Sequence, residues 1–206
     1  MASFDPTTTA VVGVHLQNDV VGPDGAFAGF FRAEIERTGV LDTAARLLDG
    51  ARAAGATVVY TRVAFRPGYG DLNPNSPLLG MVAQAECLED GNPGAAVTAE
   101  LAPRDGDHVV THTRVGGFQD SDLDATLRGA GVDTVVFLGV ATNASVEGTA
   151  RVASDLGYRT VVVSDACSAG SPEAHEASLG SLGLLAEIVT TDELLAGLSA
   201  PAEAHA

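Results

Sequence analysis

Residues 137–151, reading FLGVATNASVEGTAR, constrain the fold more than any other stretch of the chain. An apolar run over 134–140 ends in Ala141-Thr142-Asn143, and Val146, Ala150 and Ala153 then recur at helical spacing. A buried strand therefore runs straight into a helix N-terminus. Backbone N–H groups around Ser145 should face outward at the strand's carboxyl end, where open α/β sheets bind ligands and where a helix N-terminus stabilises negative charge.

Similar apolar, β-rich runs occur at 9–14, 57–63, 108–113, 159–163 and 187–189. Most are too continuous for a half-exposed strand and read as parallel strands covered on both faces. Helical patterns at 40–54, 122–129, 145–156, 172–185 and 191–198 alternate with them. This alternation requires right-handed crossovers, so the expected fold is a doubly wound, mostly parallel, Rossmann-like sheet of six strands with helices on both faces. Ser121-x-x-Asp124 reads as a helix start, and Gly131 and Gly157 as helix ends. One α/β domain over 3–199 is expected, with a flexible tail at 200–206 in which His205 is inert.

Two segments break the pattern. Residues 64–103 are rich in Gly, Pro and Asn, and residues 22–31 carry Phe27, Phe30 and Phe31. Long irregular connections often serve as lids or binding loops. Both follow strands expected near the site, so substrate-shaping contacts belong there, with local packing or an interface as the plainer alternative.

The formal net charge of −16 argues against nucleic acid or an anionic membrane as partner. No stretch approaches membrane-spanning length and the N-terminus lacks a secretory pattern, which leads to an expected cytoplasmic location. Cys87 and Cys167 have no metal-type spacing and read as buried thiols. No G-x-G-x-x-G follows a strand, so no dinucleotide is implied.

The segment GVATNASVEGTAR resembles the nucleophile turn of the isochorismatase-like hydrolases, a family that includes isochorismatases, nicotinamidases and N-carbamoylsarcosine amidases. VVGVHLQND (11–19) is similar to the family's first strand, written D-x-Q-N-D-F. GAAVTAELAP (94–103), RVGGF (114–118), DLGY (155–158), SDA (164–166) and His175 follow in the family's order. The resemblance implies a triad of Asp, Lys and Cys, an oxyanion hole from the N–H groups of Ala141 and Ser145 beside a cis Val140–Ala141 peptide, and a dimer or tetramer. The three triad positions hold His15, His112 and Ser145 instead. Realignment does not repair the departure, because the chain has no lysine at all.

His15 is a residue type suited to proton transfer near neutral pH, and His112 stands where the family has a cation. Groups of this kind imply a pH limb between about 5 and 8. Ser145 is a nucleophile if a base takes its proton. Equally open is acid–base chemistry without a covalent step, with His15 as acid and Ser145 positioning water, as cysteine-free isochorismatases work. The plainest reading of Ser145 is a helix-capping hydroxyl, and of each histidine a structural residue. Gln17, placed on the same side of the strand as His15, is a candidate substrate contact. Arg66, Tyr69 and Phe118 are further candidates, with Arg66 suited to a substrate carboxylate. Asp19 reads as a site carboxylate or a loop cap. His15 and His112 lack an evident third ligand, so neither metal nor cofactor is expected. The leading function is a cofactor-independent hydrolase or lyase acting on a small amide, ester or enol ether, in specialised metabolism. The alternative is a catalytically retired member that binds a small molecule or joins an assembly.

Overall fold

The computed structural model describes residues 3–198; the expected tail and His205 lie outside the described residues. Six strands are present: β1 (Thr9–Val14), β2 (Thr57–Val63), β3 (His108–His112), β4 (Thr134–Val140), β5 (Arg159–Ser168) and β6 (Glu187–Val189). They form one sheet in the order β3-β2-β1-β4-β5-β6, and every pairing is parallel. The chain first winds outward from β1 to β3, then returns to β4 on the other side of β1. Its switch point thus lies between β1 and β4, where a doubly wound sheet opens a crevice at the carboxyl ends of its strands.

Among the described residues eight α-helices accompany the sheet: α1 (Asn18–Val21), α2 (Ala28–Thr38), α3 (Val40–Ala54), α4 (Pro77–Ala85), α5 (Leu123–Gly129), α6 (Glu147–Asp155), α7 (Pro172–Leu182) and α8 (Thr191–Leu198). α3 packs on α8, and α6 on α7. α3 ends at Gly55, whose φ of 86° lets its N–H close on Ala51 and Arg52 carbonyls. Every residue of β1 and of β4 is buried, as their continuous apolar sequences require. With Tyr60, Leu47, Leu48, Leu123 and Leu127 they make the main core, in which each large apolar side chain contributes about 1.5–3 kcal/mol.

A second apolar cluster sits over the strand ends. Val20, Phe27, Val63, Leu79, Val82, Leu88, Val140 and Ala141 belong to it. Much of it comes from the two segments that lack sequence periodicity, and three unforeseen helices lie in or beside them. α1 is a single turn, α2 buries only Ile35, and α4 starts at Ser76, whose side chain accepts from the Leu79 N–H.

Boundaries moved elsewhere. β3 stops at His112, the 172–185 helix stops at Leu182, and the 145–156 helix opens as a π-turn over Thr142–Val146. β5 continues to Ser168 because the register shifts after Phe137, so that Gly139 and Val140 pair with Cys167 and Ser168. Gly139 has φ 125°, and a Cβ there would overlap the Val14 carbonyl. Only glycine lets β4 approach β1 at that point. Ser121 binds the Leu123 N–H without pairing with Asp124. Among the described residues no helix is long and apolar enough to cross a membrane.

Candidate active site

Three strand ends deliver the site. His15 is the first residue past β1, with φ 52°; His112 is the last residue of β3; Ser145 lies in the π-turn after β4. All three are buried, with relative exposures of 5%, 1% and 5%. The Val140–Ala141 peptide is cis. The Ala141 carbonyl accepts from both the Ala144 and Val146 N–H groups, the second being the π-type bond that sets the turn. Thr149 Oγ1 donates to the Ser145 carbonyl at 2.6 Å, and Thr142 Oγ1 is hydrogen-bonded to His175 Nδ1 at 2.8 Å, which ties the turn to α7.

His15 Nε2 lies 3.1 Å from His112 Nε2, and His112 Nδ1 lies 2.9 Å from the Arg114 carbonyl oxygen. A carbonyl only accepts, so His112 carries a proton on Nδ1. When both rings are neutral, His112 Nε2 is then the acceptor and His15 Nε2 the donor. His15 Nδ1 is left with its lone pair and no hydrogen-bond partner among the described residues. Burial holds the His15 pKa well below the ordinary histidine value, with repulsion from His112 adding to it. Burial also pushes His112 down to about 4, against the opposing effect of its bond to Arg114. Both imidazoles are neutral at pH 7.

A half-open cavity lies beside His15, Ala141 and Ser145. Its walls are Val20, Phe27 and Phe31, Val63, Leu88, Val115, Val140 and Ala144, and Leu78, Leu79 and Val82 of α4, with Arg114 as the one charged lining group among the described residues. No hydrogen bond joins Ser145 Oγ to either histidine. The site thus holds a neutral base beside a mostly apolar cavity, with a hydroxyl nearby that is not yet engaged.

The remaining candidates sit elsewhere. Gln17 is fully buried; its Nε2 donates to the Val63 and Ala95 carbonyls and its Oε1 accepts from the Val63 N–H. The positive φ of His15 ends the strand alternation, so Gln17 ties loop 93–97 to β2 and does not line the cavity. Arg66 has a side chain 85% exposed and only a 3.8 Å approach to Asp71, so it faces solvent. Tyr69 packs on Phe65 with its hydroxyl buried and unpartnered, outside the cavity wall. Phe118 stacks on Tyr158, on the side of α5 and α6. Asp19 accepts from the Leu88 N–H at 2.8 Å, a loop-tying role. Phe27 and Phe31 line the cavity, whereas Phe30 is exposed. Cys87 and Cys167 are free and buried. Among the described residues, no group of three or more His, Cys, Asp and Glu is placed to hold a metal.

Sequence reasoning overlooked Arg114 and the α4 wall. Arg114 stands two residues past His112, inside a segment already quoted for the resemblance, and Ser76-Pro77 is a legible helix start.

Residues 9–193 match the isochorismatase domain model. The chain is 35% identical over 178 residues to the isochorismatase family protein YwoC of Bacillus subtilis, covering 86% of each chain. It is 35% identical over 196 residues to the ureidoacrylate amidohydrolase RutB of Methylobacterium radiotolerans, covering 87% of this chain and 75% of that one. A crystal structure of a cysteine hydrolase from Pseudomonas syringae pv. phaseolicola superposes with a TM-score of 0.84 at 28% identity, covering 96% of this chain and 95% of that one. Sequence and overall fold agree: the chain belongs to the isochorismatase family.

Proposed function

We propose that this family member is a cofactor-independent hydrolase of a small amide or ester, with His15 as general base. The observation that carries the reading is the hydrogen-bonded chain from His15 Nε2 through His112 to the Arg114 carbonyl, which leaves Nδ1 of His15, a cavity-lining residue, with a free lone pair. His15 takes a proton from water as the water attacks the substrate carbonyl; His112 orients the ring and accepts its other proton throughout. The oxyanion falls to the N–H groups of Ala141 and Ser145. His15 then returns its proton to the departing amine or alkoxide. A neutral imidazole is poorly placed to protonate an enol ether, so the acyl substrates are preferred over lyase chemistry. Likeness to an amidohydrolase supports the same choice. The family resemblance suggests a homo-oligomer, and the proposed setting is specialised metabolism in the cytoplasm.

A second reading makes Ser145 the nucleophile, because it occupies the turn position where the family carries its cysteine. The missing Ser145–histidine hydrogen bond favours water. Intact-mass analysis of rapidly quenched turnover on a panel of small amides and esters separates the two. Water attack gives no adduct, and Ser145→Ala retains all but about tenfold of the rate, the value of one ordinary hydrogen bond. An acyl adduct lost in Ser145→Ala establishes the serine path. His15→Asn should lower turnover by about 10²–10⁴ with an unchanged melt; a rate equal to the parent's rejects His15 as base. Absence of turnover across the panel leaves the binding-protein alternative.

A further inference from the structure

Few polar groups face the cavity. His15, Ser145 and Arg114 do, no carboxylate does, and the other walls are aliphatic or aromatic. Among the described residues Arg114 is therefore the sole charged lining group, in a chain with a net charge of −16. Its Nε donates to Asp120 Oδ2 at 3.1 Å, and its side chain is 33% exposed. Both terminal NH2 groups of the guanidinium lack a protein partner among the described residues.

A guanidinium with its terminal fork unused matches the two oxygens of a carboxylate in position and charge. The cavity wall beside it is apolar, which strengthens the attraction, while the one-third exposure of the Arg114 side chain and its contact with Asp120 moderate it. A phosphate or other dianion is a worse fit, since one cation cannot balance it and the neutral histidines add no charge. The body of the ligand must be apolar to face Phe27, Phe31 and Leu79.

We propose that Arg114 is a substrate-recognition residue and that the cavity takes small monocarboxylates with an apolar body. The scissile bond then lies toward His15, a placement that rests on the hydrolase reading above; the carboxylate preference does not depend on it. Arg114 holds the carboxylate by its side chain while its carbonyl holds His112, so one residue sets both the ligand and the base.

The test is binding of matched probes to the full chain by titration calorimetry: benzoate against benzamide, and crotonate against crotonamide, each pair differing in charge and hardly in shape. The parent protein should bind each acid about tenfold or more tightly than its amide, the difference expected for a charge-assisted bidentate contact. Arg114→Gln should bring each pair to within about twofold, and Arg114→Lys, which keeps the charge without the fork, should fall between. Thermal melts establish that the variants are folded. Amides that bind as well as acids, an undiminished preference in Arg114→Gln, or no saturable binding of any probe at millimolar concentration each overturns the proposal. Turnover assays alongside keep the two readings apart. Hydrolysis of neutral esters without carboxylate preference overturns this inference alone, and carboxylate preference without turnover overturns only the hydrolase reading.

Discussion

His15 and His112 share a single hydrogen between nitrogens 3.1 Å apart, and the Arg114 carbonyl decides which ring owns it. His15 can gain a proton on Nδ1 with the shared bond intact, whereas His112 can gain one on Nε2 only if His15 gives up its donor role. The pair is held neutral by burial, and this gives the protein a definite acid response.

The sign follows from the direction of the shifts. His112 is held at about 4, below its ordinary value of 6.5, so the unfolded chain binds protons that the folded one refuses. Its full stability is present above about pH 6.5 and is lost as pH falls toward about 4, a loss on the order of 3 kcal/mol. Urea unfolding between these values should show the decline, and His112→Gln should flatten it. Activity should stay level through about pH 6 and fall only in more acid solution, replacing the limb between about 5 and 8 that ordinary histidines would give. A kcat/KM profile breaking near pH 7 contradicts this.

Restoring the family triad should not restore a family activity. His112 is only 1% exposed and its neighbours are a ring and a carbonyl, so a lysine there buries an ammonium in a space fitted to imidazole. His112→Lys alone should cost about 3 kcal/mol in chemical denaturation. The triple variant His15→Asp, His112→Lys, Ser145→Cys should turn over nicotinamide or isochorismate poorly. Efficient turnover of either would show that the cavity walls still suit that substrate.

Gln17→Ala should act on the fold. Three hydrogen bonds to Val63 and Ala95 are lost inside a fully buried site, at about 3 kcal/mol. The urea midpoint should fall steeply while KM at a permissive temperature stays near that of the parent. A raised KM with an unchanged midpoint would return Gln17 to the substrate contacts.

Thr142→Val tests the tie between α7 and the turn bearing Ser145. It leaves His175 Nδ1 without its 2.8 Å partner at a cost of about 1–2 kcal/mol. Turnover should fall severalfold, and Thr142→Ser, which keeps the hydroxyl, should recover most of both losses. Equal behaviour of the valine and serine variants would separate this tie from the site.

The sheet was legible because its central strands are buried and announce themselves by unbroken apolar runs, while the edge strands β3 and β6 are largely exposed; β1, β2, β4 and β6 fall where the apolar runs do. β5 overran its apolar stretch because Ser164–Ser168 is polar in sequence and is held by pairing beyond a bulge, a tertiary fact. α2 escaped notice because a helix burying one residue in eleven leaves no periodic stripe. His15, His112 and Ser145 could be named from aligned motifs, and the structure places them at the carboxyl ends of β1, β3 and β4. Gln17 could not be placed, since the left-handed turn at His15 reverses the inference from alternation. Arg114 went unweighed because membership of a cavity wall is a property of loops meeting in space.

The buried chain from His15 to the Arg114 carbonyl contains no ion. Where a carboxylate and an ammonium face each other, turnover redistributes charge that is already present. In the proposed reaction this pocket must instead create a cation and an oxyanion together from neutral partners, and each becomes the other's counter-ion. The substrate supplies half of that electrostatic balance, so the barrier depends on how close together the two nascent charges are kept. Small changes in substrate length should therefore be felt in rate more than in affinity.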